Sequence, residues 1–348
     1  MTTLVYSDDE LLRERTDLAP HVIAGRRMHG GILPDGSYQP PRTPGRVPAL
    51  AAWEMALVER GGMPLAADAS LLGGVRVPSV EQSRVLLRHG LGETMWNSLT
   101  IIGKLEARGR LLAEFDFPAL QPHIVDDISQ MAIGHLGKGL LKAHGWDEGG
   151  TTDPALGPIG AHDQMWFAAR DLAFGEGAYP DVEPPDNIAR PEAGRRWMPE
   201  VAAEVEGLLS LLMNLLVIEF RAENAFSDTQ AVLRTPDLFT DRRQLAEEAA
   251  DIVERIRTDE AIHVSSLCLY LGECASVTFR ATGAIGGDVT DGTIPGQVLI
   301  DRFWGGLVRW ATVDQPALAA EQQRALLHAR VMAHPNGAAI WREFEIAA

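Results

Sequence analysis

The run LLSLLMNLLVI (residues 208–218) is apolar on nearly every side, and the stretch that overlaps its end, VIEFRAENAF (217–226), sets two glutamates into its periodicity. A helix that is apolar all round has to lie at the centre of a packed structure. Leu212, Leu216, Glu219, Glu223 and Phe226 follow steps of three or four residues and share one face of that helix. Two acids four residues apart repel by a few tenths of a kcal/mol even in water. Buried and unpaired, each costs several kcal/mol or takes up a proton. A divalent or trivalent cation between them removes the cost. The alternative is that one of them faces solvent or pairs with Arg221 or Arg255.

Three further helical stripes carry the same kind of intrusion. In a helix that Thr240 caps and that runs to about Leu271, Ile252, Ile256, Glu260, His263, Leu267 and Tyr270 share a face. Glu260 and His263 there are either ligands or a buried hydrogen-bonded pair. In ETMWNSLTIIGKLEARGRLLAEF (93–115), preceded by a helix start at Ser79, the stripe Met95, Leu99, Ile102 places Glu106 on the buried face. In HIVDDISQMAIGHLGKGLLKAH (123–144), opened by Pro122, the stripe Ile124, Ile128, Met131 does the same for His135. Each of these two is equally well read as a satisfied core polar residue. His123, His144 and His162 are read as surface or packing histidines, and His89 with Glu93 as a pair near one end of the structure.

The turns DFPALQP (116–122) and RTPDLF (234–239) divide these segments into two hairpins. Glu106 and His135 are equidistant from the first turn, and Glu219 and Glu260 from the second, so both hairpins bring polar residues to mid-height. A Gly- and Pro-rich crossover (145–198), holding one short helix, joins them. The expected fold is all-α: a four-helix bundle over 79–275, with peripheral helical arms at the N-terminus (1–78) and the C-terminus (276–348), forming one globular unit. The glycine-rich GAIGGDVTDG reads as a loop, lacking the helix and lysine of a phosphate loop.

Charge and cysteine usage exclude several function classes. A net charge of −17, from 31 basic and 48 acidic residues, disfavours nucleic acid and anionic membrane surfaces as partners. No apolar run reaches the roughly 18–20 residues that span a bilayer, and no signal peptide is visible, so a cytoplasmic location is expected. Cys268 and Cys274, six residues apart in a helical pattern, argue against a disulfide scaffold. A donor set of carboxylates and imidazoles without thiolates suits iron or manganese better than structural zinc.

With Glu106, Glu219 or Glu223, and EAIH at 260–263 in place, the chain resembles the ferritin-like di-metal carboxylate superfamily over about residues 79–275. That pattern is a glutamate on each of two helices and Glu-x-x-His on each of the other two. The resemblance implies a centre of two iron ions, or manganese, held by Glu106, His135, Glu219, Glu223, Glu260 and His263. It further implies activation of dioxygen for oxidation of a small organic molecule, with the electron donor unidentified. One departure stands out: Ala132 lies three places before His135, where the family has a glutamate. Either Glu219 and Glu223 both bind, or the second metal is weak. The competing expectation is a degenerate metal site in a non-catalytic or metal-storing protein. Apolar surface in 298–310 and 326–341 leads to the further expectation of a homodimer.

Overall fold

The computed structural model describes residues 3–74, 76–151, 158–191, 194–282 and 292–348. The chain is mostly helical, as expected of an all-α fold. The N-terminal region holds a one-turn helix α1 (Asp8–Leu11), strands β1 (Ala19–Ile23), β2 (Arg26–Ile32) and β3 (Tyr38–Gln39), and helix α2 (Thr43–Glu59). There follow α3 (Val80–Arg88), α4 (Glu93–Gly109), α5 (Leu111–Glu114), α6 (Leu141–Gly149), α7 (His162–Phe174), α8 (Ala203–Leu233) and α9 (Arg243–Ser276). Strands β4 (Thr278–Arg280) and β5 (Thr293–Pro295) precede α10 (Gly296–Arg309), α11 (Gln315–Met332) and α12 (Gly337–Ile346).

Several of these elements start where the sequence places a stop or a cap. Ser79 caps α3 in a reciprocal capping box with Gln82. Gly90, at φ +75°, separates α3 from α4. Two expectations are corrected. The N-terminal arm is not purely helical: β1, β2 and β3 form an antiparallel sheet in that order. The long second helix over 123–144 does not form. Ile124 instead makes an isolated bridge to Phe279, a short 3-10 turn covers Ala132–Gly134, and regular helix begins only at Leu141. The cause is glycine. Gly139 sits at φ +111°, and a Cβ on Gly134 would come within 2.2 Å of the Ile128 carbonyl oxygen, so the non-helical path depends on glycine at both positions. The glycine-rich stretch read as a loop lies largely outside the described residues.

Helix α9 packs along α8 on one side and against α7 on another, and α4 packs against both α6 and α7. The core divides along the two long helices. Residues of α8 up to Phe220 and of α9 from Leu267 onward belong to a large apolar cluster with Trp53 and Leu57 of α2. Phe226 of α8 and residues up to Ile256 of α9 belong to a second cluster with Leu99 and Trp166. Glu219, Glu260 and His263 occupy the seam between the two. Among the described residues, no helix is long and apolar enough to cross a membrane.

Candidate metal centre

The seam collects buried acids and imidazoles from five helices. Glu106 comes from α4, His144 and Glu148 from α6, His162 from the first turn of α7, Glu219 from α8, and Glu260 and His263 from α9. All seven are at most 9% exposed. They fall into two groups. One ligand atom each from His144, Glu148, Glu219 and His263 lies within 4.8 Å of the others, and the same holds for Glu106, Glu148, His162 and Glu260. Glu148 belongs to both groups, and Glu260 lies against His263 of the first. His162 Nδ1 is 3.1 Å from Glu260 Oε1, and His263 Nδ1 is 2.6 Å from Glu260 Oε2 and 3.0 Å from Glu148 Oε1. His144 Nε2 is 3.0 Å from Glu219 Oε1, and the His144 and His263 rings stack at 3.8 Å.

The outward nitrogens of two of these histidines are fixed by aspartates. His162 Nε2 lies 3.0 Å from Asp259 Oδ2, and His263 Nε2 lies 3.1 Å from Asp147 Oδ2. With Nε2–H donating outward, each ring turns its Nδ1 lone pair toward the carboxylates, the tautomer a metal ligand needs. The aspartates are themselves held by the N-terminal arm. Asp147 receives Arg42 and, at 2.7 Å, Arg46. Asp259 accepts from the Tyr38 hydroxyl at 2.9 Å and has His29 Nε2 at 3.1 Å. His29, Asp259 and His162 thus make a third cluster behind the second group.

The electrostatics show what the inner carboxylates lack. Burial, followed by repulsion from Glu260 and Glu106, pushes Glu148 well above the ordinary carboxylate range. Burial and Glu260 do the same to Glu219, and burial raises Glu260. Glu106 moves the other way: burial acts upward, but hydrogen bonds with Glu148 and His162 outweigh it. Four carboxylates share this space, and no arginine or lysine pairs with any of them among the described residues. His144 Nε2, Glu148 Oε1, His162 Nδ1 and Glu260 Oε1 are fully buried and lack a hydrogen bond of proper geometry. Stranding buried polar atoms costs about 1–3 kcal/mol apiece. Four such atoms facing one another are what cation coordination satisfies. Neither cysteine contributes; Cys268 lies against Ala67 and Cys274 is buried in the large apolar cluster.

Of the six residues singled out in the sequence, Glu106, Glu219, Glu260 and His263 meet here. His135 and Glu223 do not. His135 is buried elsewhere: its Nδ1 lies 2.7 Å from the Met131 carbonyl, its Nε2 accepts from the Tyr6 amide at 3.1 Å, and Trp53 lies against the ring. Its place on a helical stripe vanished with the helix. Glu223 is turned outward and pairs with Arg257 at 2.6 Å, on α9, rather than with Arg221 or Arg255. His144 and His162, read as ordinary histidines, are at the centre of the site, and Glu148 was not singled out. A signal was present in HGWDE (144–148), where His144 and Glu148 stand four apart and share a helix face. Compared with known proteins, the chain matches no family model, no curated protein and no solved structure.

Proposed function

We propose that the two groups hold a pair of metal ions, iron or manganese, and that the protein is an oxidase or oxygenase using dioxygen on a small organic substrate. The observation that carries this reading is the set of four orphaned buried atoms on ligand-type residues, with Glu148 common to both groups. The donor set of four glutamates and three imidazoles has the hardness that iron and manganese favour. Two divalent ions would balance the four glutamate charges. We read α4, α6 with α7, α8 and α9 as a ferritin-like arrangement in which the second hairpin helix is broken. Glu148 then supplies the carboxylate that Ala132 could not, and His144 lies on the same helix face in reversed order.

In this reading Glu148 and Glu260, which face residues of both groups, would be shared between the ions. Glu106 and His162 would hold one ion, and His144, Glu219 and His263 the other. A reduced metal pair held there would supply two electrons to dioxygen, the remainder coming from the substrate or the electron donor, and the protein's residues would hold it in a water-poor seam with the histidine tautomers fixed. Asp147 and Asp259 keep Nδ1 of His263 and His162 available. The electron donor, a homodimeric state and a cytoplasmic location remain part of the same proposal.

The test is metal analysis of the full chain after loading with ferrous iron without oxygen, followed by oxygen uptake. About two ions per chain, and oxygen consumption that depends on them, support the proposal. Glu148→Ala, which removes a carboxylate from both groups, should reduce bound metal to near zero. A wild-type chain that binds neither iron nor manganese, and whose melting temperature ignores chelator, overturns it.

A further inference from the structure

A cavity of about 510 Å³ lies between α4, α8 and the segment joining α10 to α11. Its volume is in the range of small-molecule sites. Met95, Ser98 and Ile102 line it from α4, Arg221 and Ala225 from α8, and Gln315 from α11. Most of its wall is apolar. Two of its charged residues neutralise each other: Arg76 Nε and Nη2 reach Asp228 at 2.6 and 2.8 Å. Arg221 is different. Its guanidinium donates to the Ile188 carbonyl at 3.0 Å, reaches the Gln315 side chain at 3.5 Å and lies over Trp310 at 4.9 Å. No carboxylate pairs with it among the described residues, and burial alone lowers its pKa. In a chain of net charge −17, a half-buried arginine facing an apolar cavity without an acidic partner is a site for an anion.

The helix faces give this cavity a direction. On α8, Arg221 and Ala225 lie on the side away from the stripe of Glu219 and Phe226. On α4, Met95 and Ile102 belong to the stripe of Glu106, and Ile102 is one turn, about 6 Å along the axis, before it. The wall therefore joins one cation, Arg221, to apolar residues of α4 that share the helix stripe of Glu106. We infer that this cavity binds a monocarboxylate with an apolar body, its carboxylate on Arg221 and its apolar end against Met95 and Ile102. The inference names the substrate class for the proposed oxidase and, as a substrate assignment, rests on that reading.

Calorimetric titration of the full chain with octanoate and with octan-1-ol tests it, with metal content measured separately on the same sample. Octanoate should bind roughly tenfold to a hundredfold more tightly than the alcohol, the worth of a charge-assisted hydrogen bond. Arg221→Gln should erase that preference while leaving the alcohol affinity, and Ile102→Trp, which fills part of the apolar space, should weaken both ligands. Circular dichroism and melting temperature establish that both variants fold. Equal binding of acid and alcohol, no binding at all, or a preference that survives Arg221→Gln overturns the assignment. A chain that takes up metal yet ignores octanoate loses the pocket assignment and keeps the metal centre. A chain that binds octanoate but no metal keeps the pocket and loses the oxidase reading.

Discussion

His162 and His263 are held in the same way, and their pKa values are shifted in opposite directions. Each ring has Nε2 beside a buried aspartate and Nδ1 beside buried glutamates. Burial acts on both to favour the neutral ring. His263 falls well below the ordinary imidazole range because the stacked His144 and the arginines on Asp147 add to that burial. His162 rises well above it because Glu260, Asp259, Glu106 and Glu148 outweigh burial. Inside the site Glu260 acts on His162 and His144 on His263, and outside it the two aspartates are covered differently as well. Asp147 is covered by two permanent cations, Arg42 and Arg46. Asp259 is covered by Tyr38, a neutral donor, and by His29, which burial pushes down to about 4. Similar rings beside similar acids therefore differ through the charges around them, with the arm's two arginines adding to what the site's own residues do.

The largest expected effect comes from stripping one side of that comparison. Arg42→Met with Arg46→Met leaves Asp147 buried without a cation, and should destabilise the chain by about 3–5 kcal/mol in urea unfolding. An unchanged midpoint would mean that the two aspartates are not held differently after all. Next come Asp147→Asn and Asp259→Asn. If both histidines are ligands, each should weaken metal binding about 10–100-fold by competition with a chelator. Both should also cost stability in the metal-free chain, since Asp147→Asn takes the carboxylate from Arg42 and Arg46 and Asp259→Asn takes it from His162 and His29; the larger loss is expected for Asp147→Asn, which serves two permanent cations. A stability loss confined to Asp259→Asn would reverse that assignment. Tyr38→Phe removes one hydrogen bond to the Asp259 carboxylate and should cost about 1.5–3 kcal/mol, measured by the same unfolding curve. The smallest effect belongs to Glu223→Ala, which breaks a partly exposed pair worth at most about 1 kcal/mol. Bound metal should not change, and a loss of metal in that variant would return Glu223 to the site.

The two long helices were legible because their periodicity runs unbroken. α9 carries its stripe across 34 residues, and Glu260 and His263 lie where that stripe puts them. α8 likewise placed Glu219, although the same stripe could not tell that Glu223, 40° round the helix by the 3.6 period, had an arginine waiting on α9. The region 123–149 was misread for a different reason. Apolar spacing from Ile124 to His135 fits a helix, yet Gly134, Gly137 and Gly139 make a helix there expensive, and local backbone preference won. The carboxylate sought near His135 was thirteen residues further on at Glu148, beside His144 in the order His-then-Glu. His162 was hidden by its place in the crossover, because only the packing of α7 against α4 and α9 reveals that this short helix belongs to the centre. The arm's role was invisible in the sequence, since Tyr38 and Asp259 are 221 residues apart.

That separation has a consequence for the order in which the molecule is built. A chain made from its N-terminus exposes Tyr38, Arg42 and Arg46 to solvent long before residue 259 has been added. The arm then has nothing of the Asp259 side to close on, and Asp147, once made, can settle between its arginines early. The half of the site around His263 therefore has its outer support waiting before His263 itself is synthesised. The half around His162 acquires its support last, when α9 returns to the arm across the longest loop in the site, the kind of contact that closes slowly.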